Sequence, residues 1–417
     1  MKKKCKNVNL TDWQVVLPWV TDCVMRHKKR YDFKKLLLRH GVSRADYYYA
    51  LETFEYDVFT DAIEQIAKEA SESIKKRKLN LPPVHIRKMI DTTTGKVRDI
   101  GKESAMQQVF DHIAVGSCSE IFRCRMVEQQ MSSIRGRGQV QGVRLIRGYI
   151  CEDNKAINYA RKHKLRYSSK CKYFVKLDIR KCYPSADMNI FMSLLEHDCC
   201  NADIIWLWRT LLESHHVDGY EGFMIGALPS QWACQIMLSY IYRYAMELTY
   251  KKRGKDLKKV SHMVLFMDDM LLFGSNRREL YSAVKNITEY AWDKLGFTIK
   301  ENFAVQKLGG KVGVDMMGFV VYRNGKIEIR ERNYIKSRRM IFRYYSNGCF
   351  VFSQAQRLAS FKGYYKHSDS RKVSHDLKVG RIFRYCSNLI SLYVKEKHNA
   401  KDVFHDRARS GFVPADK

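Results

Sequence analysis

Val264-Leu265-Phe266-Met267-Asp268-Asp269-Met270-Leu271-Leu272-Phe273 sets two adjacent carboxylates between apolar runs of strand length. Val, Phe and Leu favour strands, so the stretch predicts a tight hairpin with Asp268 and Asp269 at its tip. Strands this apolar are buried on both faces. Two anions in the connecting turn then repel each other unless a cation neutralises them. For an isolated Asp-Asp pair a solvated turn is the commoner outcome, so the rest of the chain has to decide.

The chain has 417 residues, room for two or three domains, and 45% are hydrophobic. Lys plus Arg number 75 against 44 Asp plus Glu, a formal net charge of +31. Such an excess points to a polyanion, nucleic acid or a membrane surface. No apolar run is long enough to cross a bilayer, and the charged start Met1-Lys2-Lys3-Lys4-Cys5 has no apolar segment behind it. Nucleic acid is therefore preferred, with no membrane partner. The twelve cysteines include no Cys-x-x-Cys pair, and Cys199-Cys200 read as buried thiols, which fits a reducing, cytoplasmic setting.

Upstream of the hairpin, Ile63, Ile66, Ala67, Ala70 and Ile74 recur at helical spacing within residues 59–78. Thr11-Asp12-Trp13 reads as a helix start, and Pro82-Pro83 closes a helical N-terminal extension over 1–83. Residues 84–90, 91–95 and 96–100 read as strand, turn and strand, with Lys96 and Arg98 on one face. A solvated basic strand and a phosphate grip are equally open readings there; the Arg fork suits phosphate oxygens. In Arg135-Gly136-Arg137-Gly138 the glycines allow close backbone approach to a phosphate chain, a weak signal on its own. Residues 103–128 and 151–165 read as helices. Residues 173–178 form a strand ending in Asp178, followed by a helix over 188–197 capped by Ser185 or Asp187. A lone acid there is more often a cap or turn residue than a metal ligand.

Gly222-Phe223-Met224-Ile225-Gly226-Ala227-Leu228-Pro229-Ser230-Gln231 leads into a helix over 231–250, with Ser230 as its expected N-cap. Trp232, Ile236 and Tyr240 make one apolar stripe, and Ala233, Met237, Ile241 and Ala245 a second, so this helix is buried. After the Asp-Asp hairpin come a helix over 279–295, a strand over 297–300, a hairpin over 314–329 about Asn324-Gly325, and basic, aromatic helices over 333–400.

The order of these pieces, over about residues 84–330, resembles the palm of reverse transcriptases. Phe266-Met267-Asp268-Asp269 is similar to the family's aromatic-x-Asp-Asp signature, with Phe for the usual Tyr. Val175-Lys176-Leu177-Asp178-Ile179-Arg180-Lys181-Cys182-Tyr183-Pro184-Ser185 is similar to its first carboxylate motif, and Val314-Asp315-Met316-Met317-Gly318-Phe319 to its primer grip. The resemblance implies an α+β right-hand polymerase. Its parts would be a helical N-terminal extension (1–83), fingers (84–172), a palm with an antiparallel sheet (173–330), and a helical thumb with a basic C-terminal region (331–417).

The resemblance also implies an RNA-templated DNA polymerase using two Mg²⁺ ions, with Mn²⁺ as substitute, held by Asp178, Asp268, Asp269 and the Ile179 backbone. Lys300 takes the place of a lysine that protonates the pyrophosphate leaving group, with Lys307 and Lys311 as competitors. Arg98 and Lys96 would hold phosphates of the incoming dNTP. The backbone at Ile179 and Arg180, with Ile225, Gly226 and Gln231, would complete that pocket. Tyr183 corresponds to the steric gate that selects deoxynucleotides, although a plain core tyrosine is the other reading. Arg135, Arg137, Phe266, Met267, Met317 and Gly318 would face template and primer.

Ile225-Gly226-Ala227-Leu228-Pro229-Ser230-Gln231 departs from the Gln-Gly-x-x-x-Ser-Pro form of retroviral enzymes. It resembles the form seen in diversity-generating retroelements and shares parts with defence-associated and abortive-infection enzymes of bacteria. Ile in place of Gln implies an error-prone polymerase. Two settings follow: mutagenic copying of a repeat, or cDNA synthesis on a dedicated non-coding RNA in antiviral defence. The implied partners are a structured template RNA, the cDNA product and dNTPs, with an accessory protein or a second copy as further candidates. Residues 333–417 carry only six acids, too few in one place for an RNase H-type nuclease. The rivals are a non-catalytic RNA-binding protein on a polymerase fold, and an RNA-templated RNA polymerase, against which Tyr183 argues.

Overall fold

The computed structural model describes residues 3–90, 95, 97–134, 136–216 and 222–409, the last fifteen of these by backbone alone. Lys96, Arg135 and most of the expected turn at 91–95 lie outside the described residues. The architecture is mixed α/β and divides into two compact units. One comprises Met1–Arg137 with Val175–Val305, the other Gly138–Phe174 with Gln306–Lys417.

The first unit opens with helices. Asp12 caps Trp13–His27 by accepting from the Gln14 N–H, which satisfies one of the orphan donors of the first turn. That helix packs against Thr60–Lys75 and Ala105–Ser117. In Thr60–Lys75, Ile63, Ile66, Ala67, Ala70 and Ile74 are all buried, as their spacing predicts. The expected helix over 103–128 is two, Ala105–Ser117 and Ser119–Arg125.

The sheet of this unit runs in the order His262–Phe266, Asp269–Gly274, Tyr173–Asp178. The hairpin pairs Phe266 with Asp269, so Met267 and Asp268 make the turn and Asp269 begins the second strand. Met267 takes φ 54°, the left-handed conformation that so tight a turn demands. Met263, Val264, Leu265, Met270, Leu271, Leu272 and Phe273 are buried, and truncating one of these leucines to Ala costs about 2–5 kcal/mol. Leu228–Glu247 packs against His262–Phe266 and against Arg277–Leu295, which in turn covers Asp269–Gly274.

Ser230 does not cap that long helix. The helix begins at Leu228 with Ala227 at the N-cap, because Pro229 fits the first turn, where its missing N–H costs nothing. Ala233, Ile236, Met237, Ile241 and Ala245 are buried, while Trp232 and Tyr240 are half-buried. Residues 297–300 form no strand; Ile299 makes an isolated bridge with Ile179. Cys199 is buried as expected, but Cys200 is exposed. The hairpin His85–Ile90 with Val97–Lys102 forms as predicted and is largely exposed on both faces.

In the second unit the helix Gln139–Lys162 starts well before residue 151. Residues 314–329 form three antiparallel strands, Val314–Met316, Phe319–Val321 and Ile327–Ile329. Helices Glu331–Asn347, Phe352–Ala359 and Val379–Arg409 follow, around a core that includes Ile341, Leu358, Tyr365, Ile382 and Phe383. Among the described residues no helix is long and apolar enough to cross a membrane.

Candidate active site

Asp178 ends its strand beside the Asp-Asp turn. The Ile179 N–H donates to the Asp268 carbonyl at 3.4 Å. On its other flank, residues 178–180 bond to 298–300: the Lys300 N–H donates to the Asp178 carbonyl at 2.9 Å and the Arg180 N–H to the Thr298 carbonyl at 2.8 Å. These backbone bonds bring Asp178, Asp268 and Lys300 to one point. The Lys300 ammonium donates to Asp178 Oδ2 at 2.6 Å.

Asp178 Oδ1 is buried and has no hydrogen-bond partner. Burial pushes the pKa of Asp268 above the usual carboxylate range; its own backbone N–H offsets part of this, Asp178 raises it further, and Lys300 and Arg98 pull it down. The three aspartates do not form a group whose donor atoms all lie within 4.8 Å of one another. An all-oxygen donor set with a buried, unpartnered lone pair suits a hard divalent cation such as Mg²⁺.

The elements around the turn hold it tightly. Met267 Sδ accepts from Tyr183 Oη at 3.6 Å, Ser133 Oγ at 3.8 Å and Gln235 Nε2 at 3.8 Å. Burial pushes the Tyr183 phenol well above its ordinary pKa, so it stays a donor. Beneath this lies a buried amide pair that sequence reasoning missed. Gln130 Nε2 donates to the Gln235 carbonyl at 2.8 Å and to Gln235 Oε1 at 2.6 Å. Backbone bonds between residues 129–131 and Leu265 tie this segment to the strand His262–Phe266, and the amide pair ties it to the Leu228–Glu247 helix. The available signal was a glutamine within the apolar stripe of the Leu228–Glu247 helix.

Arg98 stands on the exposed hairpin within electrostatic reach of Asp268. That hairpin is fixed to the Ile225 loop by the Gly101 N–H, which donates to the Ile225 carbonyl at 2.9 Å. A Cβ on Gly101 would sit 1.6 Å from Met224 Sδ, and Gly226 has φ +111° with the Gly101 carbonyl 3.0 Å from where its Cβ would be. Ile225 is half-buried and Gln231 lies in the first turn of the next helix. Arg180 is exposed.

The remaining expected site residues have their own surroundings. Arg137 Nη1 donates to the Val127 carbonyl at 2.6 Å, which ties it to backbone. Phe266 is half-buried opposite Asp269. Met317 and Gly318 turn between two strands of the second unit, with Tyr364 packed on Gly318; Lys307 and Lys311 also belong to that unit. The same unit carries a polar cavity of about 520 Å³ lined by Arg144, Arg147, Lys366, His367 and Arg371 among others.

A family model described as reverse transcriptase (RNA-dependent DNA polymerase) matches residues 67–319, more than half of the chain. No curated protein matches significantly. Similar solved structures include apo telomerase from Candida tropicalis, at 10% identity over 95% of this chain and 81% of that one, with a TM-score of 0.43. Telomerase from Candida albicans in complex with a TWJ fragment of telomeric RNA is 12% identical over 78% of this chain and 67% of that one, with a TM-score of 0.38. These identities and scores are low, and the family assignment rests on the sequence match.

Proposed function

The chain belongs to the reverse transcriptase (RNA-dependent DNA polymerase) family, and on that premise we propose that Asp178, Asp268 and Asp269 are its nucleotidyl-transfer centre. The observation that carries this reading is the convergence of Asp178, at the end of its strand, with Asp268, in the hairpin turn, the former with a buried, unpartnered oxygen. Asp178, Asp268 and Asp269, with the Ile179 backbone, would hold two Mg²⁺ ions, Mn²⁺ being the natural substitute. When bound, such ions activate the attacking hydroxyl and neutralise charge on the phosphates.

The remaining work falls to this chain's own side chains. Arg98, with its fork of donors, would grip the phosphates of the incoming dNTP, and the backbone at Ile179 and Arg180 would orient them. Lys300 would give a proton to the departing pyrophosphate; its ammonium already stands 2.6 Å from Asp178 Oδ2. Tyr183, held against Met267, would lie under the sugar and exclude a 2′ hydroxyl. In this reading the fingers, palm and thumb of a right-hand polymerase span 84–172, 173–330 and 331–417.

The net charge of +31 supports a structured RNA as template. Ile225 in the Ile-Gly-x-x-x-Ser-Gln loop supports error-prone copying of the diversity-generating kind. The defence setting, with cDNA made on a dedicated non-coding RNA, rests on the same chemistry, and the enzymes of that setting share parts of this loop.

Purified protein given Mg²⁺, a primed RNA template and labelled dNTPs is expected to extend the primer. The double substitution Asp268→Ala with Asp269→Ala is expected to abolish extension and leave RNA binding unchanged. Extension that survives the double substitution would sink the assignment of the centre.

A further inference from the structure

We propose that Glu103, Asp111 and His215 form a separate structural metal site that holds one zinc-type divalent cation within the first unit. Glu103 is 5% exposed, Asp111 1% and His215 1%. Glu103 directly follows the strand Val97–Lys102, Asp111 stands on Ala105–Ser117, and His215 lies just past Ala202–Glu213. Each presents one donor atom, and the three atoms lie within 4.8 Å of one another. That is close to the span that two metal–ligand bonds of about 2.0–2.2 Å can bridge.

Hydrogen bonding leaves the cluster unsatisfied. His215 Nε2 and Glu103 Oε1 are 2.7 Å apart. Neither oxygen of Asp111 has a hydrogen-bond partner, and neither does His215 Nδ1. Buried polar atoms without partners are rare, and here three occur in one cluster. One turn before Asp111 on the same helix face, Gln107 is 0% exposed. Its Nε2 donates to Ser214 Oγ at 2.9 Å, and its Oε1 is also unpartnered. Gln107 thus offers an amide oxygen from the same face as a fourth donor.

Charge points the same way. Among the described residues, neither Glu103 nor Asp111 pairs with a lysine or arginine. Two buried carboxylates face each other beside an imidazole, and a divalent cation among them would relieve the repulsion between the acids. A proton shared between the carboxyls would remove one charge. It would still leave His215 Nδ1 and Gln107 Oε1 without partners. A divalent ion neutralises the cluster and gives the unpartnered Asp111 oxygens a partner. The mixture of imidazole nitrogen and carboxylate oxygen selects zinc over magnesium, which prefers oxygen alone. The ion would tie the base of the exposed hairpin to two helices.

The test uses the full chain, purified without chelator from zinc-supplemented culture, with metal counted by mass spectrometry. Wild type is expected to carry about one zinc per chain, and His215→Ala and Asp111→Asn to lower that content about tenfold or more. Should a variant fail to fold, the wild type decides alone. Stripping with a chelator should then lower its melting temperature by about 5 °C, and ZnCl₂ but not MgCl₂ should restore it. Zinc that survives both substitutions overturns the site. So does a wild-type protein that arrives without zinc and shows no thermal response to ZnCl₂.

Discussion

Asp153 and Asp178 are both acids with buried carboxylate oxygen, and the protein treats them in opposite ways. Asp153, in the second unit, is 3% exposed. It accepts from Tyr167 Oη at 3.0 Å, Ser169 Oγ at 2.7 Å, the Lys170 N–H at 2.7 Å, the Cys171 N–H at 3.3 Å and Arg323 Nη2 at 2.7 Å. Burial opposes its charge, yet bonds from Ser169, Arg323, Lys170 and Tyr167 hold its pKa below the usual carboxylate range. Asp178, in the first unit, has Lys300 on Oδ2 and nothing on Oδ1, and it pushes the pKa of its neighbour Asp268 up. An acid saturated with donors fixes local structure. An acid left short of donors is available to a ligand.

The largest expected difference between the two is in activity. Asp178→Asn keeps the shape and removes the charge. Primer extension should fall by about 10³-fold or more, because losing several kcal/mol costs a decade of rate per 1.36 kcal/mol. Near-normal extension by this variant would erase the distinction. Next comes stability. Asp153→Ala strands Arg323 in a partly buried site and should cost about 3–5 kcal/mol, read from the urea midpoint. Its lowered native pKa makes this contribution fully present above the unfolded value of about 3.9 and lost as pH falls through the native value. The gap between wild type and variant should therefore close in acid.

Asp268→Asn should move stability the other way. A carboxylate whose native pKa is raised binds protons more readily folded than unfolded, so it destabilises the fold as pH rises above about 3.9. Removing the charge in metal-free buffer should raise the melting temperature at neutral pH. The gain should vanish below about pH 4, where both side chains are neutral. A variant less stable than wild type at pH 7 would mean that Asp268 is a structural acid like Asp153.

How much of this was legible in the sequence follows from what each feature depends on. The hairpin about Asp268 and Asp269 was legible because strand pairing of two apolar runs across a two-residue turn is local. The helix Thr60–Lys75 was legible because five apolar residues share one face. Ser230 was misread because two N-cap rules competed: serine favours the cap, but Pro229 moves the helix start upstream. The Gln130–Gln235 amide pair left only one glutamine in an apolar stripe as a trace, and the Glu103–Asp111–His215 cluster left none. Their members are lone polar residues that the fold brings together over long sequence separations, as the 112-residue span from Glu103 to His215 shows. Lys300 was legible only through resemblance; its contact with Asp178 depends on residues 298–300 lying along 178–180.

Ile225 repeats the contrast between saturated and open groups on a smaller scale. Its carbonyl is saturated by the Gly101 N–H at 2.9 Å, which fixes the loop. Its side chain is half-buried and offers no hydrogen bond to anything that sits above it. Under the proposed function, that apolar surface leaves the template–nucleotide pair without a polar check on its geometry. Ile225→Gln would add one donor and one acceptor there without disturbing the Gly101 bond. One hydrogen bond contributes about 0.5–1.5 kcal/mol, so misincorporation should fall by about two- to tenfold while the rate for correct dNTPs changes little. Error rates counted by sequencing cDNA from a defined RNA template measure this directly. An unchanged error spectrum across all four template bases would mean that fidelity is set elsewhere, and that the open side chain at 225 is packing alone.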